Sequence, residues 1–431
     1  MRRKRLKSSP DGKSPDSFHL PAAALQPVSL QDKTMIRYFT AGESHGPALS
    51  AIVEGLPAGL TVTPEDINKE LARRQQGYGR GGRMKIETDK ADVLSGIRFG
   101  KTIGSPVTLQ VENRDWKNWT VKMARFDTPA EEIPAITVPR PGHADLTGMI
   151  KYGFEDIRPV IERASARETA ARVAACALAK VFLRSAGIQI GSYVSSIGAA
   201  GKTAPSPRLH ELLDAGAETL AEEADASSVR MLEKEHETHA IAAIDKAKEE
   251  GDTLGGIIEL FITGVPMGLG SYVQHDRRLD AELAAALISI QAVKGVEIGT
   301  AFENARKPGS QVHDALFLRK GDGPERKTNR AGGIEGSMTN GQIIHLRAAM
   351  KPIATLMSPL QSFDIRSLDA HLSHIERSDT CAVPACSVIA EAVIAPVIAN
   401  ALLRKTGGDH LEEILERLEA YKADIAKNFQ P

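Results

Sequence analysis

Two histidines stand on glycine-flanked turns, His45 in Gly42-Glu43-Ser44-His45-Gly46 and His143 in Arg140-Pro141-Gly142-His143-Ala144-Asp145. An imidazole on a tight turn can face a bound anion and give it a proton, because its charge changes near neutral pH. Between Leu71 and Lys85 five basic residues, Arg73, Arg74, Arg80, Arg83 and Lys85, occur without an acid and are threaded with Gly77, Gly79, Gly81 and Gly82. Guanidinium forks bind oxyanions bidentately and glycine lets backbone amides approach, so this loop reads as a local trap for phosphate or carboxylate. Arg163 and Arg167, four apart, share one helical face, with Ser165 between them and Glu162 and Glu168 as available partners. Arg347 and Lys351 flank a strand-to-loop passage that continues as Pro352-Ile353-Ala354-Thr355, and Arg377-Ser378-Asp379-Thr380 sets a carboxylate beside an arginine. In an arginine-lined pocket such an acid serves as a proton relay. The constellation describes a pocket for a small polyanion with proton-transfer chemistry.

Other chemistries fit less well. Gly332-Gly333-Ile334-Glu335-Gly336 matches neither GxxxxGK[ST] nor GxGxxG, so a nucleotide loop is not supported. His143-x-Asp145 and the pair His371 and His374 lack a third ligand at defined spacing, so no metal site is expected. GESHG matches the GxSxG nucleophile elbow of serine hydrolases, but an elbow opens a helix, and Pro47 to Val53 reads as a turn into a strand. The run Tyr78 to Arg83 resembles an RGG element of RNA-binding proteins, yet it occurs once, inside a well-patterned chain.

The elements that must position these residues follow from patterning. Residues 36–40 and 50–55 read as strands around the first glycine turn. Thr63-Pro64-Glu65-Asp66 starts a helix that runs into Arg73-Arg74. Residues 107–111 read as a strand. Residues 156–186 read as one central Ala-rich helix with Gly187 as its C-cap, and 211–250 as a peripheral acidic helix. Residues 257–265 and 343–347 read as strands, 279–290 and 411–427 as helices. Strand and helix do not alternate regularly, which argues for α+β or a layered α/β sandwich in one large domain over 35–431.

The chain has 431 residues, with 54 Lys and Arg against 55 Asp and Glu, a balance that gives no global pull towards nucleic acid or a membrane surface. Three cysteines, Cys176, Cys381 and Cys386, do not make a disulfide framework and favour a reducing compartment, the cytoplasm. The apolar stretch 388–403 is interrupted by Glu391, Pro396 and Asn400, so no membrane span is expected. Residues 1–34 are rich in charge, Pro and Ser, lack an apolar signal core, and read as a disordered extension, a mis-assigned start or a weak transit-like leader.

Eight stretches, in this order, resemble the chorismate synthase family: 42–46, 73–84 (RRQQGYGRGGRM), 140–148 (RPGHADLTG), 162–169 (ERASARET), 291–299 (QAVKGVEIG), 332–341, 351–355 and 377–384 (RSDTCAVP). The resemblance implies a β-α-β sandwich, a homotetramer, and anti 1,4-elimination of phosphate from 5-enolpyruvylshikimate 3-phosphate, with reduced FMN required but no net redox change. It implies His45, His143 and Asp379 as catalytic groups and Arg74, Arg80, Arg83, Arg140 and Arg167 as substrate ligands, the first two also being NADPH positions. FMN contacts would fall on Arg163, Ala164, Ser165, Gln291, Ala292, Gly336, Lys351, Pro352, Ile353, Ala354, Thr355 and Arg377. Whether the flavin is reduced by NADPH on the enzyme or by an external flavin reductase stays open. Ser337 stands where many members of the family have a second glycine after Gly336.

Overall fold

The structure, a computed structural model, describes residues 35–81, 88–126, 133–201, 206–319, 323–376 and 378–429. The expected extension 1–34 therefore lies outside the described residues.

Strands alternate apolar and polar residues where one face meets a core. In the first sheet Arg37–Ala41, Ala48–Glu54, Val107–Glu112 and Ala91–Val93 lie in that spatial order, all antiparallel. Leu49, Ala51, Val53, Val107, Leu109 and Val111 are buried, whereas Phe39 and Ile52, paired in register, are exposed on the other face. Helix α1 (Pro64–Gln75) starts at Thr63, whose capping box with Asp66 satisfies the first-turn amides, and its last turn carries Arg73 and Arg74.

Next come α2 (Asp145–Tyr152), α3 (Arg158–Ala164) and α4 (Thr169–Ser185). The single helix expected over 156–186 is thus two helices. Ser165 turns extended (φ −62°, ψ 141°) and its side chain accepts from the Arg167 N–H, capping a short 3₁₀ turn over Ala166–Glu168. The acidic stretch 211–250 is likewise α5 (Leu209–Ala215), α6 (Ala217–Asp225) and α7 (Lys234–Glu249), broken first at Gly216, whose φ of 122° suits glycine alone.

The second sheet orders Val293–Ile298, Ile344–Met350, Gly256–Thr263, Gln189–Ile197 and Ala200–Gly201, again antiparallel. Helices α8 (Leu279–Ile288), α9 (Ala301–Asn304), α10 (Val383–Thr406) and α11 (Leu411–Lys427) complete the chain. Helix α4 packs on the first sheet and on α1 and α10, and α10 packs in turn on the second sheet. A helical layer therefore separates the two sheets.

Helix α10 is long and apolar enough to cross a membrane by length and composition, but 94% of its apolar window is buried inside the protein. Its one acid is fully enclosed: Glu391 accepts from Arg73 (2.7 and 3.0 Å), Lys180 (3.0 Å), Arg230 (3.1 Å) and Ser192 (2.6 Å). Burial alone would raise its pKa, but Arg73, Lys180 and Arg230 hold it well below the usual carboxylate range. The network ties α1, α4 and α10 to the second sheet, and it fixes the end of α1 from which the glycine loop departs.

Candidate functional site

A cavity of about 830 Å³ is lined by Ser44 and His45 from the first glycine turn, Arg74 from α1, Arg80 and Gly81 from the glycine loop, and the α3–α4 break. Asp379 and residues around the start of α10 form another side. Among the described residues seven cationic side chains line it (Arg74, Arg80, Arg140, Arg158, Arg167, Lys294 and Lys351) against two carboxylates, Glu376 and Asp379. Such an imbalance in a partly enclosed space attracts a multiply charged anion.

The break at Ser165 decides which arginine reaches the cavity. Arg167 turns inward, donating from Nε to Asn113 (2.9 Å) and from Nη1 to Asp89 (2.5 Å). Arg163 turns outward and donates to the Thr40 and Gly42 carbonyls (3.1 and 3.3 Å), bracing the turn that bears His45. The shared face expected for the two arginines does not exist. Asp89 also accepts from Arg74 (3.3 Å), so one carboxylate serves two buried guanidiniums. Burial, aided by Arg80 and Arg167, pulls the Arg74 pKa down to about 9 despite Asp89. It remains a cation at neutral pH, stabilised further by any anion that enters.

His45 and His143 are each paired through Nδ1 with a buried carboxylate. His143 donates to Asp145 (2.5 Å), the first residue of α2, which also accepts from Arg140 Nε (2.9 Å) and Nη2 (3.1 Å). Burial would raise the Asp145 pKa, but the His143 and Arg140 hydrogen bonds hold it well below the ordinary range. Arg140 is thereby largely engaged, with Nη1 on Thr355 (2.7 Å). His45 Nδ1 lies 2.9 Å from Glu162, and its ring stacks on Trp119 with centroids 3.7 Å apart. Asp379 accepts from the Gly81 N–H (2.7 Å) and pairs with Arg80 (3.3 Å). The loop carrying it comes so close that a Cβ on Gly81 would meet the Ser378 carbonyl at 2.9 Å.

Along another wall lie Ala164, Ser165, Gln291, Ala292, Lys351, Ile353, Ala354 and Thr355. Gln291 Oε1 is buried without a hydrogen-bond partner among the described residues, and neighbouring Ala292 is held at φ 68°, a strained backbone for a residue with a Cβ. Burial first, then Lys294, lowers the Lys351 pKa. Pro352 does not line the cavity, nor does Gly336, which sits with Ser337 in the two-residue turn of the hairpin Ile334–Glu335 and Met338–Thr339. Ser337 takes φ 65° there and donates to Asp280 (3.0 Å). Arg83 and Arg377 lie outside the described residues.

Arg158, Lys294, His374, Glu376 and Trp119 also line the cavity and were not singled out as site residues. Lys294 falls inside the matched stretch 291–299, a signal in the sequence itself; His374 stands out there only as half of a histidine pair too sparse for a metal. Among the described residues no group of His, Cys, Asp or Glu is placed to hold a metal ion. Cys386 lines the cavity, but burial pushes its thiol up to about 12, which leaves it un-ionised. After Gly46 the chain enters the strand Ala48–Glu54, so the helix that a nucleophile elbow opens is not there.

A family model described as "Chorismate synthase" matches residues 36–403. Chorismate synthase of Prosthecochloris aestuarii is 82% identical over 396 residues, covering 92% of this chain and 100% of the relative. That of Chlorobaculum tepidum is 72% identical over 396 residues, with the same coverage. A solved structure titled "Crystal Structure of Chorismate Synthase" superposes with a TM-score of 0.74 at 43% identity, covering 91% of this chain and 99% of that one.

Proposed function

This chain belongs to the chorismate synthase family, and from that premise we propose how its cavity performs the family's elimination. The enzyme is a carbon-oxygen lyase of the shikimate pathway, which serves aromatic amino acid biosynthesis: 5-enolpyruvylshikimate 3-phosphate loses phosphate by anti 1,4-elimination and becomes chorismate. The carrying observation is the convergence of seven cations on one cavity that also holds two carboxylate-paired histidines.

The substrate's two carboxylates and phosphate are taken up by Arg74, Arg80 and Arg167, with Arg140 and Arg83 completing the set. His143 is the acid at the leaving phosphate. With Nδ1 committed to Asp145, Nε2 delivers the proton as the C–O bond breaks and its electron pair leaves with the phosphate. Asp145 holds the ring in that orientation, and the guanidiniums stabilise charge that grows on phosphate oxygen in the transition state. Asp379, oriented by the Gly81 N–H and Arg80, assists removal of the ring proton on the opposite side.

Reduced FMN fits the other wall. Gln291 Oε1 is an acceptor awaiting a donor such as a flavin ring N–H or a ribityl hydroxyl, and Lys351 with Lys294 suits the phosphate. Ala164, Ser165, Ala292, Ile353, Ala354 and Thr355 would hold the remainder. When bound, the reduced flavin supplies an electron-rich partner to the reacting ring without net redox change. His45 Nε2, with Nδ1 committed to Glu162, exchanges the proton on that side. NADPH at Arg74 and Arg80 is the reading for on-enzyme flavin reduction; an external flavin reductase is the other.

We place the enzyme in the cytoplasm as a homotetramer that binds neither nucleic acid nor membrane. Support comes from the burial of α10, from buried free thiols at all three cysteines, and from the exposed, register-paired Phe39 and Ile52, which suit a partner copy. An anaerobic assay with the enolpyruvyl phosphate and reduced FMN, with and without NADPH, tests the reaction. Phosphate and chorismate should appear in equal amounts while the flavin stays reduced. Reduced FMN giving no phosphate would overturn the assignment.

A further inference from the structure

Glu162 is not among the groups that touch substrate or flavin in the reading above, yet the geometry of the His45 turn is organised around it. Its side chain is fully buried. One oxygen, Oε2, accepts the His45 backbone N–H at 2.7 Å, and both oxygens lie within 3.0 Å of His45 Nδ1. The Glu162 backbone carbonyl accepts the Ser44 N–H at 3.0 Å, so the same residue fixes the turn as well as the ring. Trp119 stacks on the imidazole with an interplanar angle of 21°, and Trp119 Nε1 is anchored on Asp115 (3.1 Å). The ring is therefore held in its plane by one group and across its face by another.

We propose that Glu162 is the positioning residue of this site: it fixes His45 as the Nδ1–H tautomer, so that Nε2 is the nitrogen that exchanges protons. A carboxylate at hydrogen-bond distance from Nδ1 accepts the proton there in both charge states of the ring, which excludes the opposite tautomer. Among the described residues, further charged groups stand around the Glu162 carboxylate and the stacked indole. Arg158 donates to Glu162 (3.2 Å) but also to Glu376 (2.8 Å), which in turn faces His374 (3.3 Å). Lys122 lies 5.3 Å over the Trp119 ring, and Asp115 faces that indole from its own turn. Glu162 and Glu376 thus share one guanidinium.

The role given to His45 in turnover rests on the proposed function, so the test includes a readout that does not. Imidazole ¹⁵N spectra of the full-length protein, recorded without substrate at alkaline pH, report the tautomer of His45 directly. In Glu162→Gln the packing and the acceptor for the backbone N–H are retained, but the charge is lost. The His45 signals should move from Nδ1–H towards a mixture of tautomers, and turnover should fall roughly 10-fold or more at unchanged KM. Glu162→Asp, which keeps a carboxylate acceptor, should retain part of the Nδ1–H signal and cover the case in which the glutamine variant does not fold. Unchanged His45 tautomer signals in a folded variant would overturn the proposal, even with turnover lost. Changed signals with full turnover would uphold the positioning and remove His45 from the chemistry.

Discussion

His143, Asp145 and Arg140 lie within six residues of one another, and their hydrogen bonds were within reach of the sequence because a Pro-Gly turn and a helix start bring them together. His143→Ala should lower turnover by about 10² to 10⁴ fold while substrate still binds, since a positioned acid acts mainly in the transition state; unchanged kcat would remove it from the mechanism. Glu376 shows the opposite kind of residue. Its partner Arg158 is 218 positions away, and only folding reveals the pair. Burial would raise the Glu376 pKa, but the His374 hydrogen bond and Arg158 bring it down to about 2. A carboxyl with a depressed folded pKa contributes stability above its unfolded value, about 4.3, and loses that contribution as pH falls through the folded value. The Tm gap between the parent protein and Glu376→Gln should therefore be largest above about pH 4.3 and shrink towards about pH 2. A gap that stays constant over that range would contradict the pairing.

Among the elements, the helix start at Thr63, the strands near 50 and 107, and the last helix at Leu411–Lys427 all lie where capping and periodicity put them. The break between α3 and α4 does not. Ser165 caps the following turn with its own side chain, a local signal that an Ala-rich run obscures, and folding adds buried Asp89 and Asn113 as partners for Arg167. Helix α10 carried the reverse lesson: its interruptions by Glu391, Pro396 and Asn400 read as obstacles to a membrane span, and they mark a core helix with polar partners. Removing one member of a buried ion network leaves uncompensated charge, which costs about 3 to 5 kcal/mol. Glu391→Ala should lose about that much in urea unfolding, since Glu70 and Asp225 would be left to balance Arg73, Lys180 and Arg230; a loss below about 1 kcal/mol would mean that water replaces the carboxylate.

At the scale of the molecule, two antiparallel sheets enclose a helical layer, and the cavity opens where the glycine loop, the α3–α4 break and the start of α10 meet. The chain is thus a layered α+β fold, and the proposed tetramer would cover the outward Phe39 and Ile52. Sedimentation should give four times the chain mass of 46.3 kDa, and Phe39→Glu should shift the distribution towards smaller species. A single 46.3 kDa species for the parent protein would defeat the tetramer.

The linear chain determined which groups were available: turn-borne histidines, a glycine-threaded arginine loop, an acid beside an arginine, and a motif order specific enough to indicate the family. Those properties are local, since they depend on residue type and short spacing. Tertiary structure alone decided which guanidiniums face the cavity and which brace its walls, because a buried arginine turns towards whichever carboxylate folding delivers, and Asp89 and Glu376 lie far along the chain from Arg167 and Arg158.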